Sequence, residues 1–272
     1  MGRARGTLLA LVLLGSSAAC GPRGDHWGTG EPATPPPVEE ATEAAAEPVT
    51  ALPPLTQDPR CPDNMVHVEG GEFPCGARGE DIDFYADWPG TEHLPRPPGT
   101  CQTDAFCVDR YEYPNVAGEL PRAYVSWDEA VRLCAEAGRR LCTEDEWTRA
   151  CAGAKGQRFP YGDSHVEGAC NADVNDKVGD PGWIRPAGSF EGCRSAEAAF
   201  DLEGNLSEWV DAVSADLPDQ RYARGGTMWV GVYGRGCFAR HRHHRADASH
   251  EDDGFRCCAA PRSDKVPTPA SP

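Results

Sequence analysis

From Phe200 to Asp211 the chain reads FDLEGNLSEWVD. Asp201 and Glu208 bracket Gly204 and Asn205, the two residue types most tolerant of a left-handed backbone. A loop of this kind turns backbone carbonyls inward with a carboxylate at each end. Mixed side-chain and carbonyl oxygens at irregular spacing are what Ca2+ takes, although the stretch departs from the EF-hand pattern. The competing reading is a solvated acidic turn ahead of a buried Trp209. A second stretch, Arg240-His241-Arg242-His243-His244-Arg245, also carries chemistry. Strand alternation puts His241 and His243 on one face, and paired imidazoles suit Zn, Cu or Fe. The arginines from Arg235 to Arg245 oppose a cation and suit a carboxylate, sulfate or phosphate. A solvated basic strand balancing an acidic domain is the third reading.

The 13 cysteines are many for 272 residues and point to an oxidising compartment. No CxxC pair at zinc-finger spacing occurs, so disulfides are expected ahead of metal. The formal net charge of −17 and pI near 4.8 repel phosphate backbones, which argues against nucleic acid as a partner. With 30 Gly, 25 Pro and 39% hydrophobic residues, the chain suits a loop-rich domain better than a helical bundle or a doubly wound sheet.

Around the candidate chemistry, the chain divides into four segments. Residues 1–20 carry Arg3 and Arg5 and then an apolar run from Leu8 to Leu14, as a secretory signal does. The run is too short to span a bilayer. It ends Ser17-Ala18-Ala19-Cys20, which reads as an ordinary cleavage site or as a lipobox with Cys20 acylated. Ser17 departs from the usual lipobox Leu. Setting Cys20 aside leaves an even number of cysteines for pairing, which favours the lipobox. Residues 21–60 are rich in Pro, Glu, Ala and Thr, cannot offset chain entropy by burial, and are expected to form a disordered tether. A domain over 61–261 follows, then a polar tail over 262–272.

Two helices are expected inside the domain. Ser126 with Glu129, and Thr143 with Glu146, are capping-box pairs. The first precedes a helical-period stripe of Ala130, Val131, Leu133, Cys134 and Ala137 that Gly138 ends. The second precedes Trp147, Ala150 and Cys151 and stops at Gly153. Met65–Val68, Phe106–Tyr111, Arg221–Arg224 and Val230–Tyr233 read as extended, and residues 76–104 as a long loop.

FDLEGNLSEWVD resembles the G-N-V-x-E-W signature of the formylglycine-generating enzyme (sulfatase-modifying factor) family. MVHVEGGEF (Met65–Phe73), FCVDRYEYPN (Phe106–Asn115), RRLCTEDEWTRAC (Arg139–Cys151), FPYGD (Phe159–Asp163), RGGT (Arg224–Thr227) and GFRC (Gly254–Cys257) follow the family's order. The resemblance covers roughly residues 62–260. It implies a mixed, loop-rich α+β fold with short antiparallel strands, related to C-type lectin-like domains. It also implies a structural Ca2+ held by side-chain oxygens of Asp201 and Glu208 and backbone carbonyls of Gly204 and Leu206. Asn171 and Asp180 echo a second calcium site whose spacing departs from the pattern. Implied disulfides are Cys134–Cys257 and Cys151–Cys237. Cys142 and Cys258 flank those positions and are expected to pair, as are Cys170 and Cys193. Cys61, Cys75, Cys101 and Cys107 would pair among themselves.

The family's oxidases hold copper between two thiolates in a pattern resembling G-G-S-x-x-C-x-x-x-x-C. Val230 and Arg235 stand at those positions here, and neither binds Cu(I). Ser207 replaces the signature's inner aromatic. The resemblance therefore implies the scaffold without the copper chemistry. The expected function is a non-catalytic module, exported and lipid-anchored in a bacterial envelope (outer membrane or periplasm). It would bind an anionic molecule or a protein segment in a groove near Trp229, Arg235, Arg240, His241 and His243, touching the membrane only through the lipid. The alternatives are a formylglycine-generating oxidase acting on a sulfatase cysteine, and a structural envelope lipoprotein.

Overall fold

The computed structural model describes residues 55–78, 96–172, 183–215, 217–225 and 236–262, and for residues 241–244 the backbone only. The two helices stand where their caps predict. Helix α1 (Trp127–Glu136) begins where Ser126 Oγ accepts the Glu129 N–H at 3.2 Å. Its reciprocal bond is not made, because the Glu129 carboxylate accepts from Arg122 instead, at 2.5 Å. Helix α2 (Glu144–Ala152) has the full box: Thr143 Oγ1 accepts the Glu146 N–H at 3.2 Å, and Glu146 Oε2 accepts the Thr143 N–H at 2.9 Å. Gly153 ends it at φ 65°, a left-handed conformation that costs a side-chain-bearing residue more.

Three antiparallel or mixed sheets surround these helices. One joins β1 (Met65–Val68), β4 (Phe106–Asp109), β10 (Cys257–Ala259) and β5 (Arg140–Leu141) in that order, all antiparallel. Another joins β8 (Arg240–Arg245), β7 (Gln220–Arg224), β6 (Ser207–Val213) and β9 (Asp253–Phe255), with β6 and β9 parallel. A two-stranded ribbon pairs β2 (Gly71–Pro74) with β3 (Thr100–Thr103). The chain passes from β9 in one sheet to β10 in another across the single residue Arg256, whose side chain lies fully buried between them.

Trp147, Phe106, Leu202, Val210 and Phe238 form one core cluster, and Trp209, Phe255, Leu133 and Leu141 form another. Trp209 is buried with its polar end satisfied, since its Nε1–H donates to Val125 O at 2.7 Å.

Six disulfides close the domain: Cys61–Cys107, Cys75–Cys101, Cys134–Cys257, Cys142–Cys258, Cys151–Cys237 and Cys170–Cys193. The four expected pairs form, and the four N-terminal cysteines pair among themselves. In the chain-entropy account, the bridges spanning 123, 116 and 86 residues constrain the unfolded chain most, by about 4–5 kcal/mol each. Such a framework places the domain in an oxidising compartment.

Three expectations change. The loop expected over 76–104 ends in strand β3, because Cys101 is drawn to Cys75 and its flanking residues then complete the ladder with β2. The expected tether reaches too far: Gln57 Nε2 donates to Pro62 O at 3.0 Å, and Gln57 Oε1 accepts the Asn64 N–H at 3.1 Å, so residues 57–60 belong to the domain. The expected tail starts one residue early, since the Arg262 N–H donates to Arg60 O at 2.7 Å. The extended segment expected at Val230–Tyr233 lies outside the described residues. Among the described residues, no helix is long and apolar enough to cross a membrane.

Candidate functional site: a buried charged cluster beneath the acidic loop

The acidic loop is built from left-handed positions: Asp201, Gly204 and Asn205 have φ of 57°, 75° and 58°. At Gly204 a Cβ would lie 2.4 Å from Asn171 O, so the close approach itself requires glycine. Asn205 is the hub. Its Oδ1 accepts from Asn171 Nδ2 at 2.8 Å and from the Arg185 N–H at 2.9 Å. Its Nδ2 donates to Glu112 Oε2 at 2.5 Å and to Arg185 O at 3.2 Å. Glu112 Oε1 in turn accepts the Leu206 N–H at 3.0 Å.

Glu208 faces an arginine. Arg256 Nη2 donates to Glu208 Oε1 at 2.5 Å and Arg256 Nε to Oε2 at 2.6 Å, while Trp147 Nε1 donates to Oε2 at 2.6 Å. Arg256 also donates to Asp109 O at 3.1 Å and Phe200 O at 2.8 Å. Asp201 Oδ2 accepts the Gly188 N–H at 2.7 Å. Glu112, Asp201 and Glu208 are thus three buried carboxyl groups sharing the field of one guanidinium. Burial pushes the Glu112 carboxyl well above the usual range, and the charges of Asp201 and Glu208 push the same way. Burial raises the Asp201 pKa to about 6, against the Gly188 N–H and Arg256.

The excess of acid over base is the kind of surroundings a cation relieves. Asn171 Oδ1, from the one described residue of the expected second calcium site, adds a buried oxygen without a hydrogen-bond partner among the described residues, while Asn171 Nδ2 donates to Trp183 O at 2.9 Å. These oxygens fit a hard cation in donor type. Glu208 fits less well. The sequence reading makes it a calcium oxygen, whereas its carboxylate here is an ion-pair partner, held bidentately by Arg256 and capped by an indole. A guanidinium already supplies the positive charge at that end of the loop. Asp180 lies outside the described residues.

The expected groove is described only in part, because Trp229, Val230 and Arg235 lie outside the described residues. Arg240 already has an internal carboxylate as its partner. Its Nε and Nη2 donate to Glu144 at 2.7 and 2.5 Å, and its guanidinium lies 4.4 Å from the Tyr222 ring. Arg224 Nη1 reaches the same carboxylate at 2.9 Å. Burial raises the Glu144 pKa, but Arg224, Arg240 and Arg96 outweigh it and hold the carboxyl below its usual range. The anion that this basic strand meets is therefore internal. His241 and His243 sit on β8, His241 in register with Ala223, and their side chains are not among those described. Among the described residues, no three His, Cys, Asp or Glu side chains converge as a metal centre.

The sequence reading overlooked Glu112 and Arg256 as site residues. Glu112 was legible as an acid between two tyrosines in DRYEYPN, and Arg256 as a lone cation between Phe255 and the Cys257-Cys258 pair.

The family model described as the sulfatase-modifying factor enzyme 1-like domain matches residues 114–261. Inactive C-alpha-formylglycine-generating enzyme 2 of Mus musculus is 31% identical over 155 residues, 52% of this chain and 50% of that protein. Formylglycine-generating enzyme of Mus musculus is 28% identical over 175 residues, 54% of this chain and 45% of that protein. Hercynine oxygenase of Mycolicibacterium smegmatis is 33% identical over 36% of this chain and 23% of that protein. The chain spans half or less of the length of these relatives. Among solved structures, PvdO from Pseudomonas aeruginosa superposes with a TM-score of 0.57 at 17% identity, covering 72% of this chain and 94% of that one.

Proposed function

We propose that this chain, which belongs to the sulfatase-modifying factor enzyme 1-like family, is an exported binding module and not an oxidase. One observation carries the reading. Six disulfides take up every cysteine from Cys61 to Cys258, and Val230 and Arg235 occupy the positions where the family's oxidases resemble one another in carrying thiolates. Cu(I) chemistry needs thiolate ligands, and an oxidised cysteine cannot supply one. The 31% likeness to a relative named as inactive supports the same reading. The signal-like segment and Cys20 support delivery to a bacterial envelope through a lipid anchor, with the ligand an anion or a protein segment.

The test is anaerobic Cu(I) titration of the protein together with oxygen uptake on a Cys-containing sulfatase peptide. The expected result is no tight thiolate-type copper binding and no turnover. Stoichiometric copper with peptide oxidation sinks the reading.

Calcium belongs to the same proposal as a structural ion. Asp201 and the carbonyls of Gly204 and Leu206 supply its oxygens, with Asn171 contributing to the second position. The three-to-one ratio of buried acids to arginine supports it, with Glu208 taken up by Arg256 and not by the ion.

A further inference from the structure

Buried arginines in this domain hold carboxylates, with one exception among those whose partners are described. Arg149 donates to Glu197 at 2.5 Å, Arg224 to Glu144 at 2.9 Å and Arg256 to Glu208 at 2.5 Å. Arg110 is only 6% exposed, yet its guanidinium meets two backbone carbonyls: Nη1 donates to Ala198 O at 3.3 Å and Nη2 to Thr56 O at 2.9 Å. A guanidinium has five N–H donors, so these two bonds leave donors over. A second cation, Arg194, repels its charge and itself lies 5.9 Å from the Phe200 ring. Burial acts most against the charge of Arg110 and the repulsion from Arg194 adds to it, while Tyr111 acts the other way. In a chain with 43 acidic and 26 basic side chains, a buried cation without an acid is out of keeping.

Arg110 forms part of the wall of a cavity of about 380 Å3, shared with Thr56, Asn64, Tyr111, Leu55 and Val116. The volume falls in the range of small-molecule sites. Leu55 and Val116, 49% and 37% exposed overall, add apolar surface to its lining. Three of the neutral polar groups beside Arg110 are engaged: Asn64 Nδ2 donates to Asn115 O at 3.3 Å, Gln57 Nε2 donates to Pro62 O at 3.0 Å, and Thr56 O is held by Arg110 itself. Arg110 is the one charged residue among the described residues that line the cavity, and its planar fork matches a carboxylate.

We infer that this cavity binds a carboxylate carrying a short branched apolar body, with Arg110 as the anchor and Leu55 and Val116 against the apolar part. Both a free branched-chain acid and the C-terminus of a peptide ending in an aliphatic residue present this chemistry. The inference stands on Arg110 and its cavity alone, so its failure leaves the non-catalytic reading intact, and copper turnover would leave this site intact.

The experiment follows the Nε–H resonances of the arginines by NMR in the full chain. The probes are 4-methylpentanoate, 4-methylpentanamide, a tetrapeptide ending in leucine and its C-terminal amide. The expected result is a saturable shift with a carboxylate probe and a loss of affinity of about tenfold or more for its amide, from the lost charge-assisted bonds. Saturation by 4-methylpentanoate but not by the peptide assigns a small-molecule ligand; tighter binding of the peptide assigns a chain terminus. Arg110→Gln should lose about tenfold or more. Because that substitution sits in a buried position, Val116→Trp, at the exposed side of the cavity, provides a second variant expected to block binding while the fold is kept. No saturable shift with either acid in the wild-type chain, equal binding of acid and amide, or unaltered binding in folded Val116→Trp overturns the inference.

Discussion

The guanidinium of Arg256 grips both carboxylate oxygens of Glu208, at 2.5 and 2.6 Å, with both side chains out of contact with solvent. This pair joins the point where the chain crosses between sheets to the strand that follows the acidic loop. Removing one partner leaves a buried charge alone, which costs about 3–5 kcal/mol. Arg256→Met is expected to lower the free energy of urea unfolding by that amount. Glu208→Gln, which keeps the Trp147 hydrogen bond, should cost less. A loss under about 1 kcal/mol for Arg256→Met would show that the pair does not hold the site together.

Calcium should raise the thermal midpoint of the wild-type protein relative to chelator. Ion binding to the native state alone stabilises it by about 2.7 kcal/mol at a hundredfold excess over Kd. Asp201→Asn should weaken the calcium response, since it removes charge from the one expected acidic ligand among the described residues that no arginine grips. An identical midpoint with calcium and with chelator rules the site out. An undiminished response in Asp201→Asn would mean that the ion sits elsewhere.

Cys142, just after β5, and Cys258, the middle residue of β10, are bridged across 116 residues beside the Cys134–Cys257 bridge. Replacing both with alanine should cost about 4–5 kcal/mol if loop closure dominates. A much smaller loss by denaturant titration would show that the neighbouring bridge already restricts the same part of the unfolded chain. Titration of the domain with a thiol reagent in denaturant should find no reactive thiol from Cys61 onward.

Stability should fall as pH rises. Burial pushes Asp253 up to about 8, with Asp252 and Glu251 adding to it against the His250 N–H, and pushes Asp109 up to about 7 against Arg139. A carboxyl with a raised folded pKa binds its proton in the native state at pH values where the unfolded chain has released it. Its contribution is therefore fully present below the ordinary carboxyl pKa of about 4 and is lost progressively as pH rises from there through about 7 to 8. Asp253→Asn should flatten the upper part of that slope in unfolding measurements made across this range. A slope unchanged by the substitution would assign the pH dependence to other groups.

Local features of this protein were legible in its sequence because their causes are local. Thr143 and Glu146 are three residues apart and complete their own cap, and Gly153 ends the same helix through its own φ. Gly204 and Asn205 announced a left-handed loop for the same reason. The pairing of Cys134 with Cys257 came from the order of motifs, not from physics, since chain sequence does not fix which thiols meet. What only the tertiary structure decided is which charges face one another. Glu208 and Arg256 are 48 residues apart, and Glu144 and Arg240 are 96 apart; each pair is brought together by the packing of elements from distant parts of the chain. The sequence could show that Arg240 was basic and Glu208 acidic, but a carboxylate open to calcium and one already gripped by an arginine have the same local sequence. Burial and the neighbour across the fold separate the two, and both are properties of packing.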